Sequence, residues 1–393
     1  MTYSVSSSFV DESAKKVGTN ILRNFYIGTS DYSDRVIQWP KFTRKAQEFT
    51  ISNLKIQLAN NDGALNSFYE KTYSMVTSAY VQFGFDYGGS SEVIDVFTGN
   101  FTKISYENER ATIHLKDKLY DLTQNIIGDT SSHVNITHIL PSDLAWTLCT
   151  CYGQLSNVQS TSNPDIDYDS FNSFAEVFSD SNVYVAAHYE GEKVSEALSR
   201  IAKITDSTIY GDGDGKIYFK RYSTVDTQSS IITEDETIKL NLDVLSQELI
   251  NKQVVGWDYS QESNYSTKTV FKVNTTSQNS FGLYENLLED NTVWYTTSVG
   301  ALNMAQRRVF RYKKPPKLWG IDTPLVSIIR QLGETVKLVN SFYNITSAEG
   351  QRITEINFDT HNSYINLKTD ASISFQGFYL DIDSLDSDNR YLL

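Results

Sequence analysis

FTKISYENERATIHLKD, residues 101–117, is the stretch that decides the fold, because the chain repeats its pattern as ITEINFDTHNSYINLKT at residues 353–369. Five positions are identical, and apolar residues stand at matching places around a polar four-residue centre, ENER or DTHN. In the first copy Ile104 and Tyr106 share one strand face, and alternate apolar residues continue after the centre. The pattern predicts a β-hairpin with one buried face and a four-residue turn, present once in each half of the chain.

The repeated hairpin has two explanations at this point: duplication of a β-module, or chance similarity between unrelated hairpins. Each copy follows a strand of similar character, YVQFGF before the first and TVKLVN before the second. The separation is roughly twenty residues in both cases, and this shared context favours duplication.

The composition is that of a packed protein rich in strands. The chain has 393 residues, too many for one ordinary core, so we expect roughly two to four domains. A hydrophobic fraction of 40% with 13% aromatics is far from the composition of a disordered chain. The 25 Tyr and 20 Phe residues favour strands over helices.

The formal net charge of −14 argues against a protein that grips nucleic acid, which needs clustered Lys and Arg. An acidic net charge is typical of soluble proteins, and it also suits the surface of a channel through which DNA passes without binding. Charge alone does not distinguish these two interpretations. The first residues lack the apolar stretch of a signal peptide, and no run approaches the ~20 apolar residues of a membrane span. We expect a soluble protein made in the cytoplasm.

Changes of periodicity along the chain predict a mainly β protein with an α+β insert. Two similar β-barrel domains flank this insert and are interleaved with smaller α+β segments. The predicted parts are a polar N-terminal arm with little to bury (1–20), a first β-barrel domain (21–118), an α+β insert domain (119–222), a second β-barrel domain with an insertion at about 258–312 (223–375), and an acidic C-terminal tail (376–393).

The insert contains the clearest helix signal. VSEALSRIAKIT, which begins at Val194, places its apolar residues on one stripe, and the following Gly-Asp-Gly-Asp-Gly predicts a hairpin turn. Helices are also predicted over 119–126, with Leu119, Leu122 and Ile126 on one side, and from Ser142. A further helix, VGALNMAQRRVFRYKK, is expected to stop at Pro315-Pro316.

The residue types of a metal site are present but poorly spaced. His133, His138, Cys149 and Cys151 offer zinc ligands, yet their H-x4-H and C-x-C spacings differ from a zinc ribbon, and a Cys near a Trp is more often a small hydrophobe. His114 and His361 occupy different places in the two hairpins. Asp212 and Asp214 alternate as in a calcium loop but lack its closing Glu, and Asp381, Asp383, Asp386 and Asp388 are typical of a solvated acidic end.

Signatures of catalysis are absent from the sequence, which contains no nucleophile elbow, P-loop, dinucleotide fingerprint or H-E-x-x-H. Basic residues cluster only at 307–317, which is typical of a helix C-terminus. We predict no catalytic, cofactor-binding or metal-binding residues, no cofactor and no enzymatic activity.

Three stretches, in the same order as in the family, resemble tail-tip and baseplate hub proteins of long-tailed bacteriophages and gene transfer agents. VSEALSRIAKITDSTIYGDGDGKIYFKRY (194–222) is similar to the insert domain of the family, and residues 301–340 are similar to its second barrel. Residues 26–66 resemble the N-terminal part of the family's sequences. The matching positions are Tyr26, Gly28, Asp34, Val36, Trp39, Pro40, Leu58, Asn60, Asp62 and Gly63.

The resemblance implies two tail-tube-like barrels per chain and a homotrimeric, pseudo-sixfold ring. Such a ring adapts the sixfold tail tube to threefold tip proteins and encloses the channel for DNA ejection. The implied partners are distal tail or tail tube ring proteins, the tape measure protein and tail fibre or spike proteins, with DNA passing through the lumen without specific binding. The implied location is the tail tip or baseplate of a virion, after synthesis in the host cytoplasm.

Two other functions stay open from the sequence. A β-rich receptor- or glycan-binding surface protein is compatible with the Tyr and Trp content, since aromatic rings stack on sugars. A cell-wall hydrolase of the tail tip would require a set of catalytic residues, and none is recognisable.

Overall fold

The computed structural model describes residues 4–15, 20–46, 49–66, 68, 78–129, 131–221, 230–260, 265–343, 345, 350–359 and 364–371. The helices in this part of the chain are α1 (Ser7–Ala14), α2 (Pro141–Thr147), α3 (Tyr168–Asp180), α4 (Val194–Thr205), α5 (Thr275–Phe281) and α6 (Ser298–Tyr312). A π-helical turn, Leu148–Tyr152, continues α2. None of the described helices is long and apolar enough to cross a membrane.

Strands make up most of the regular structure in the described residues. The first group is β1 (Asn20–Ile27), β2 (Ser30–Asp31), β3 (Val36–Gln38), β4 (Lys41–Lys45), β5 (Phe49–Thr50), β6 (Asn53–Ala59), β7 (Ser78–Asp86), β8 (Ser91–Glu107) and β9 (Arg110–Lys116). The middle group is β10 (Ile126–Ile127), β11 (Val134–Ile139), β12 (Val185–Tyr189), β13 (Glu192–Lys193), β14 (Ser207–Gly211) and β15 (Ile217–Arg221). The last group is β16 (Ser230–Ile232), β17 (Lys239–Val244), β18 (Lys252–Ser260), β19 (Tyr265–Val273), β20 (Glu285–Leu288), β21 (Val293–Tyr295), β22 (Lys317–Pro324), β23 (Thr335–Leu338), β24 (Gly350–Asp359) and β25 (Tyr364–Ala371).

The first curled sheet has seven strands in the order β2-β1-β7-β8-β9-β6-β3. Alternate side chains of β6 and β9 point into one core, as the sequence pattern predicts. Gly84 and Gly99 lie where neighbouring strands approach most closely: a Cβ on Gly84 would stand 2.0 Å from the carbonyl oxygen of Glu92, and one on Gly99 2.5 Å from that of Lys116. Only glycine fits at these points of the curled sheet.

The second curled sheet repeats the first strand for strand. Its order is β16-β23-β24-β25-β22-β17, and these strands correspond to β1, β7, β8, β9, β6 and β3 with the same chain order and the same neighbours. Three pairings differ: β1 is antiparallel to β7 whereas β16 is parallel to β23, β2 pairs with β1 in the first sheet, and β4 pairs with β24 in the second. The fold is therefore mainly β, with two similar tail-tube-like, half-barrel domains and an α+β insert, as predicted.

The repeated hairpin keeps a β-bulge at the same place in both copies. The register shifts between Phe101 and Lys103 in β8, and between Ile353 and Glu355 in β24. The intervening threonines, Thr102 and Thr354, each donate a hydroxyl hydrogen bond across the hairpin, to the carbonyls of His114 and Lys368 respectively, both at 3.1 Å. Shared bulge chemistry at equivalent threonines supports duplication over chance.

The turn of the first hairpin is shorter than predicted. Glu107 pairs with Arg110, which leaves a two-residue turn at Asn108–Glu109, with Asn108 in the left-handed region at φ 52°. Such tight turns are favoured because their twist matches that of the strands. In the second copy Asp359 pairs with Tyr364, and the intervening residues 360–363 lie outside the described part.

The α+β part contains a sheet in the order β11-β12-β21-β18-β19, with β20 beside β18, and a small sheet in the order β15-β14-β5. Helices α2, α3, α4 and α6 share its core with buried apolar residues of these strands. Strands β18 to β21 come late in the chain but continue the sheet that begins with β11 and β12. We therefore propose that the insertion in the second β domain runs from β18 through α6 and belongs with the insert domain.

Helix α4 confirms the predicted stripe, since Val194, Ala197, Leu198 and Ile201 are fully buried. Helix α6 ends at Tyr312, before the two prolines, as predicted. The helix predicted over 119–126 is wrong. A short 3-10 helix covers Lys118–Thr123 instead. Ile126 lies in strand β10, and 58% of its surface is exposed. The predicted segment is so short that its apolar spacing does not require two complete α-helical turns.

The N-terminal arm was predicted to have little to bury, but its described residues 4–15 contain a helix with a buried aromatic side chain. Helix α1 contacts β7 and the 3-10 helix Leu325–Ile329, so it touches both β domains. Its Phe9 is fully buried and meets the edge of Phe85, with ring centroids 5.0 Å apart. One large aromatic side chain anchors the helix. The mean polarity of the segment, on which the prediction was based, does not reveal a single buried residue.

Ser6 caps this helix, and replacing Ser6 by Ala is expected to destabilise it by about 1 kcal/mol. The Ser6 hydroxyl accepts a hydrogen bond from the Phe9 amide at 3.1 Å, and the Ser6 amide donates to Glu92 at 3.0 Å. Hydrogen exchange of the α1 amides should accelerate in the variant. The Ser8→Ala control, at an exposed helical position, should leave exchange nearly unchanged. Equal exchange in both variants would contradict the capping role.

Candidate assembly interface

Strand β4 leaves the first β domain and completes the second. It lies between β3 and β6 in the chain, but it pairs antiparallel with β24, from Lys41 opposite Asp359 to Lys45 opposite Glu355. Its Phe42 stacks on Phe358 at 4.8 Å. The same Phe42 ring meets Phe97 of the first domain edge-on at 5.7 Å. This one side chain therefore joins the cores of the two sheets.

A buried ion pair ties the α+β part to the same strand. Arg44 of β4, with 1% of its side chain exposed, binds the carboxylate of Asp212, with 2% exposed, in the turn between β14 and β15. The guanidinium of Arg44 also lies over the Phe358 ring, 4.8 Å from its centroid. Asp212 accepts a further hydrogen bond from the Gly213 amide at 2.8 Å. Three parts of the chain thus meet at one charge pair in a low-dielectric site.

Lysines line the outer side of the β4–β24 junction. Glu355 accepts from Lys368 at 2.9 Å and from Lys45 at 3.2 Å. Burial opposes ionisation of Glu355, but the hydrogen bonds from Lys368, Asn357 and Lys45 outweigh it, so its pKa is lowered. A carboxylate that stays charged here keeps the strands paired at neutral pH.

The corresponding strand segment of the first domain has a different environment. Residues 103–107 of β8 correspond to 355–359 of β24, and within the described ranges their strand pairing is with β9 alone. Ile356, packed beside β4, is fully buried, whereas its counterpart Ile104 is only partly buried. The segment of β8 that β4 would cover by analogy is thus a candidate contact surface.

The family-like turn residues after β6 have structural roles. Arg35 binds Asp62 through two hydrogen bonds, at 2.9 and 2.7 Å, and this contact lowers the pKa of Asp62 to about 2. The side chain of Asn60 accepts from the Leu65 amide at 2.8 Å, and Gly63 adopts φ 71°. These residues fix a turn rather than a catalytic centre.

The four Cys and His residues considered as zinc ligands, and not predicted to bind metal, do not come together. Cys149 is buried, and burial raises the pKa of its thiol to about 12, while Cys151 is exposed. His138 stacks on Tyr184 at 4.3 Å. His133 instead lies beside His188 and Glu190, which sequence spacing did not connect. Only the register of β11 against β12 brings them together, and a single sequence does not reveal that register.

The remaining candidates are structural or lie outside the described residues. Asp212 and Asp214 belong to the hairpin turn predicted there. Asp214 accepts from Tyr218 at 2.8 Å, and burial raises its pKa. His114 lies on β9, where burial lowers its pKa. His361 and the tail aspartates Asp381, Asp383, Asp386 and Asp388 fall outside the described ranges.

The basic stretch at 307–317 is engaged inside the molecule. Arg311 binds Asp206 at 2.6 Å and Asp370 at 2.7 Å, and Arg307 binds Asp206 at 3.2 Å. Asp206 ends α4 in the left-handed conformation, with φ 52°. Arg307 and Arg311 therefore neutralise neighbouring carboxylates inside the molecule.

Comparison with known proteins supports the fold. No protein-family model and no curated protein matches the chain. A tail protein from Neisseria meningitidis MC58 matches with a TM-score of 0.57 at 10% identity, over 89% of this chain and 96% of that protein. The 43 kDa tail protein of prophage MuSo2 from Shewanella oneidensis matches with a TM-score of 0.52 at 15% identity, over 90% and 98%.

Prophage tail protein gp18 from Listeria monocytogenes EGD-e also matches, with a TM-score of 0.52 at 10% identity, over 88% of this chain and 94% of that protein. The chain therefore has the fold of phage and prophage tail proteins along nearly its whole length. The predicted resemblance to phage tail proteins is confirmed at the level of the fold.

Proposed function

We propose that the chain is the structural hub of a phage-like tail tip or baseplate. Three copies form a ring, and each copy contributes two similar curled sheets, so that six similar positions surround a central channel. The ring adapts a sixfold tail tube to threefold tip proteins. The observation that carries this proposal is the strand-for-strand repeat of the first sheet in the second within one chain. Equivalent surfaces that meet by rotation close into rings.

The contact between copies involves the outer side of β8 at residues 103–107. Inside one chain, the equivalent side of β24 binds β4, which buries Ile356 and Phe358. A strand from the neighbouring copy would cover β8 in the same manner and bury the rest of Ile104. The ring then alternates contacts within a chain with contacts between chains.

The hub binds distal tail or tail tube ring proteins on one side and tail fibre or spike proteins on the other, with the tape measure protein ending at its channel. The net charge of −14 suits a lumen through which DNA passes without specific binding. The role requires no catalysis and no cofactor. The protein is then a virion component of the tail tip, made in the host cytoplasm.

Electron-microscope class averages of the purified chain, with and without its tail neighbours, test the ring. We expect trimeric rings with a central hole and six similar lobes. If the chain is monomeric in the absence of its tail neighbours, ring assembly depends on those proteins. Monomers in their presence would overturn the proposal.

A photo-crosslinking amino acid at Lys103, an exposed position of β8, tests the contact between copies. We expect covalent adducts with the mass of two chains. The matched control carries the same crosslinker at Lys203, an exposed position of α4, and should give no such adduct. Equal yields at the two positions would remove β8 from the interface.

A further inference from the structure

Four polar side chains share one face at the end of the β11–β12 pair. Asn135 lies opposite His188 in the antiparallel register of β11 and β12, and just beyond the paired residues His133 contacts Glu190 at 2.8 Å. Because side chains two residues apart on a strand point the same way, all four lie side by side. The described residues hold one group of this kind whose nitrogen and oxygen ligand atoms all lie within 4.8 Å of one another: His133, His188 and Glu190.

The distances suit a shared ion. One carboxylate oxygen of Glu190 lies 2.8 Å from Nδ1 of His133 and 2.7 Å from Nε2 of His188. Around a tetrahedral zinc with bonds of about 2.0–2.1 Å, ligand atoms stand about 3.3 Å apart. Glu190 has half of its side chain exposed, so its carboxylate is free to move back by this small amount.

The second nitrogen of His188 is already oriented. Its Nδ1 lies 2.6 Å from the amide oxygen of Asn135, which accepts a hydrogen bond from the protonated nitrogen. Because Asn135 holds Nδ1, Nε2 is the nitrogen that would supply a lone pair to an ion, after releasing the proton with which it contacts Glu190. The rings of His133 and His188 stack with centroids 5.6 Å apart and an angle of 17°, which presents both edges towards Glu190.

The cluster opens into a cavity of about 720 Å³. Arg200, which lines the cavity, forms ion pairs with Glu192 at 2.6 Å and with Asp290 at 3.0 Å. These carboxylates balance its positive charge and reduce its repulsion of a cation. A bound ion would have room for one or more water ligands on the cavity side.

We propose that His133, His188 and Glu190 form a binding site for one divalent transition-metal ion, with zinc as the first candidate. The ligands are Nδ1 of His133, Nε2 of His188 and the carboxylate of Glu190. Two imidazoles with one carboxylate are a common ligand set for zinc and its neighbours in the first transition row. The ion joins the start of β11 to the end of β12 and so braces the edge of the six-stranded sheet.

The test is isothermal titration of the full chain, free of any histidine tag and stripped with chelator, with ZnCl₂ at pH 7.5. We expect one zinc ion per chain. The double variant His133→Ala/His188→Ala should lose this stoichiometric binding. Replacing Asn135 by Ala should weaken it by about 10–100-fold.

His138→Ala is the matched control, because this histidine lies on the same strand but stacks on Tyr184 away from the cluster. It should bind zinc as the unsubstituted chain does, with unchanged circular dichroism in every variant. Absence of stoichiometric binding to the unsubstituted chain would overturn the proposal. Full binding by the double variant would also overturn it, by placing the ion elsewhere.

Discussion

Replacing Arg44 by Met is expected to lower the free energy of unfolding by about 3–5 kcal/mol. The substitution keeps the volume of the side chain but leaves the carboxylate of Asp212 buried without its cation. A charge in such a site is poorly solvated, and one backbone hydrogen bond from Gly213 does not replace the guanidinium. Denaturant titration, followed by fluorescence and by circular dichroism, measures the loss.

Two comparisons make this experiment specific. Arg35→Met removes another Arg–Asp ion pair, with Asp62, but that pair is solvated and its loss should cost far less than the loss of the buried pair. The double variant Arg44→Met/Asp212→Asn removes both charges and should regain part of the loss. If Arg44→Met costs no more than Arg35→Met, the buried pair does not hold the junction together.

Replacing Asp117 by Asn is expected to stabilise the protein at pH 8 and to leave its stability nearly unchanged at pH 4. Asp117 is almost fully buried, and its carboxylate accepts from the Ser52 amide at 2.6 Å. Burial raises the pKa of Asp117 from 3.8 to about 7. The folded chain therefore keeps this proton between about pH 4 and 7, whereas the unfolded chain loses it.

The sign of the pH effect follows from proton binding. Over this window the folded state binds more protons than the unfolded state, so the contribution of Asp117 to stability falls as the pH rises. The increase of about three units in the pKa of Asp117 corresponds to about 4 kcal/mol of folding free energy. This is the largest stabilisation that the neutral amide of Asn is expected to give above pH 7. Unfolding curves at several pH values measure the difference between the variant and the unsubstituted chain.

Asp34→Asn provides the control for this series, because Asp34 is exposed and should show no comparable pH-dependent gain. A difference for Asp117→Asn that stays constant from pH 4 to 8 would show that the Asp117 carboxyl ionises normally in the folded chain. The same result would contradict the burial argument.

Much of the fold was predictable because it depends on local periodicity. The β8–β9 hairpin, the stripe of α4 and the turn at Asp212 each follow from residues close together in sequence. The order of family-like stretches then indicated the tail-protein fold. Helix α1 was missed, since a single buried Phe9 outweighs the polarity of its neighbours.

The contacts that join distant segments were not predictable. Strand β4 has the alternation of a strand, but nothing local indicates that its partner is β24 rather than a neighbour in the first sheet. The group of His133, His188 and Glu190 depends in the same way on pairing between strands far apart in sequence. Both features are set by register, which one sequence does not specify.

The pairing of β4 with β24 of the second sheet also limits the order in which the chain can fold as it leaves the ribosome. The hydrogen bond from Thr43 to Asn357 spans 314 residues, so the partner of β4 is synthesised long after β4 itself. Contacts of such separation are slow to form, because a long loop has to close first. No nascent chain that stops short of β24 contains the partner of β4, and this one junction makes the two β domains a single unit of biosynthesis.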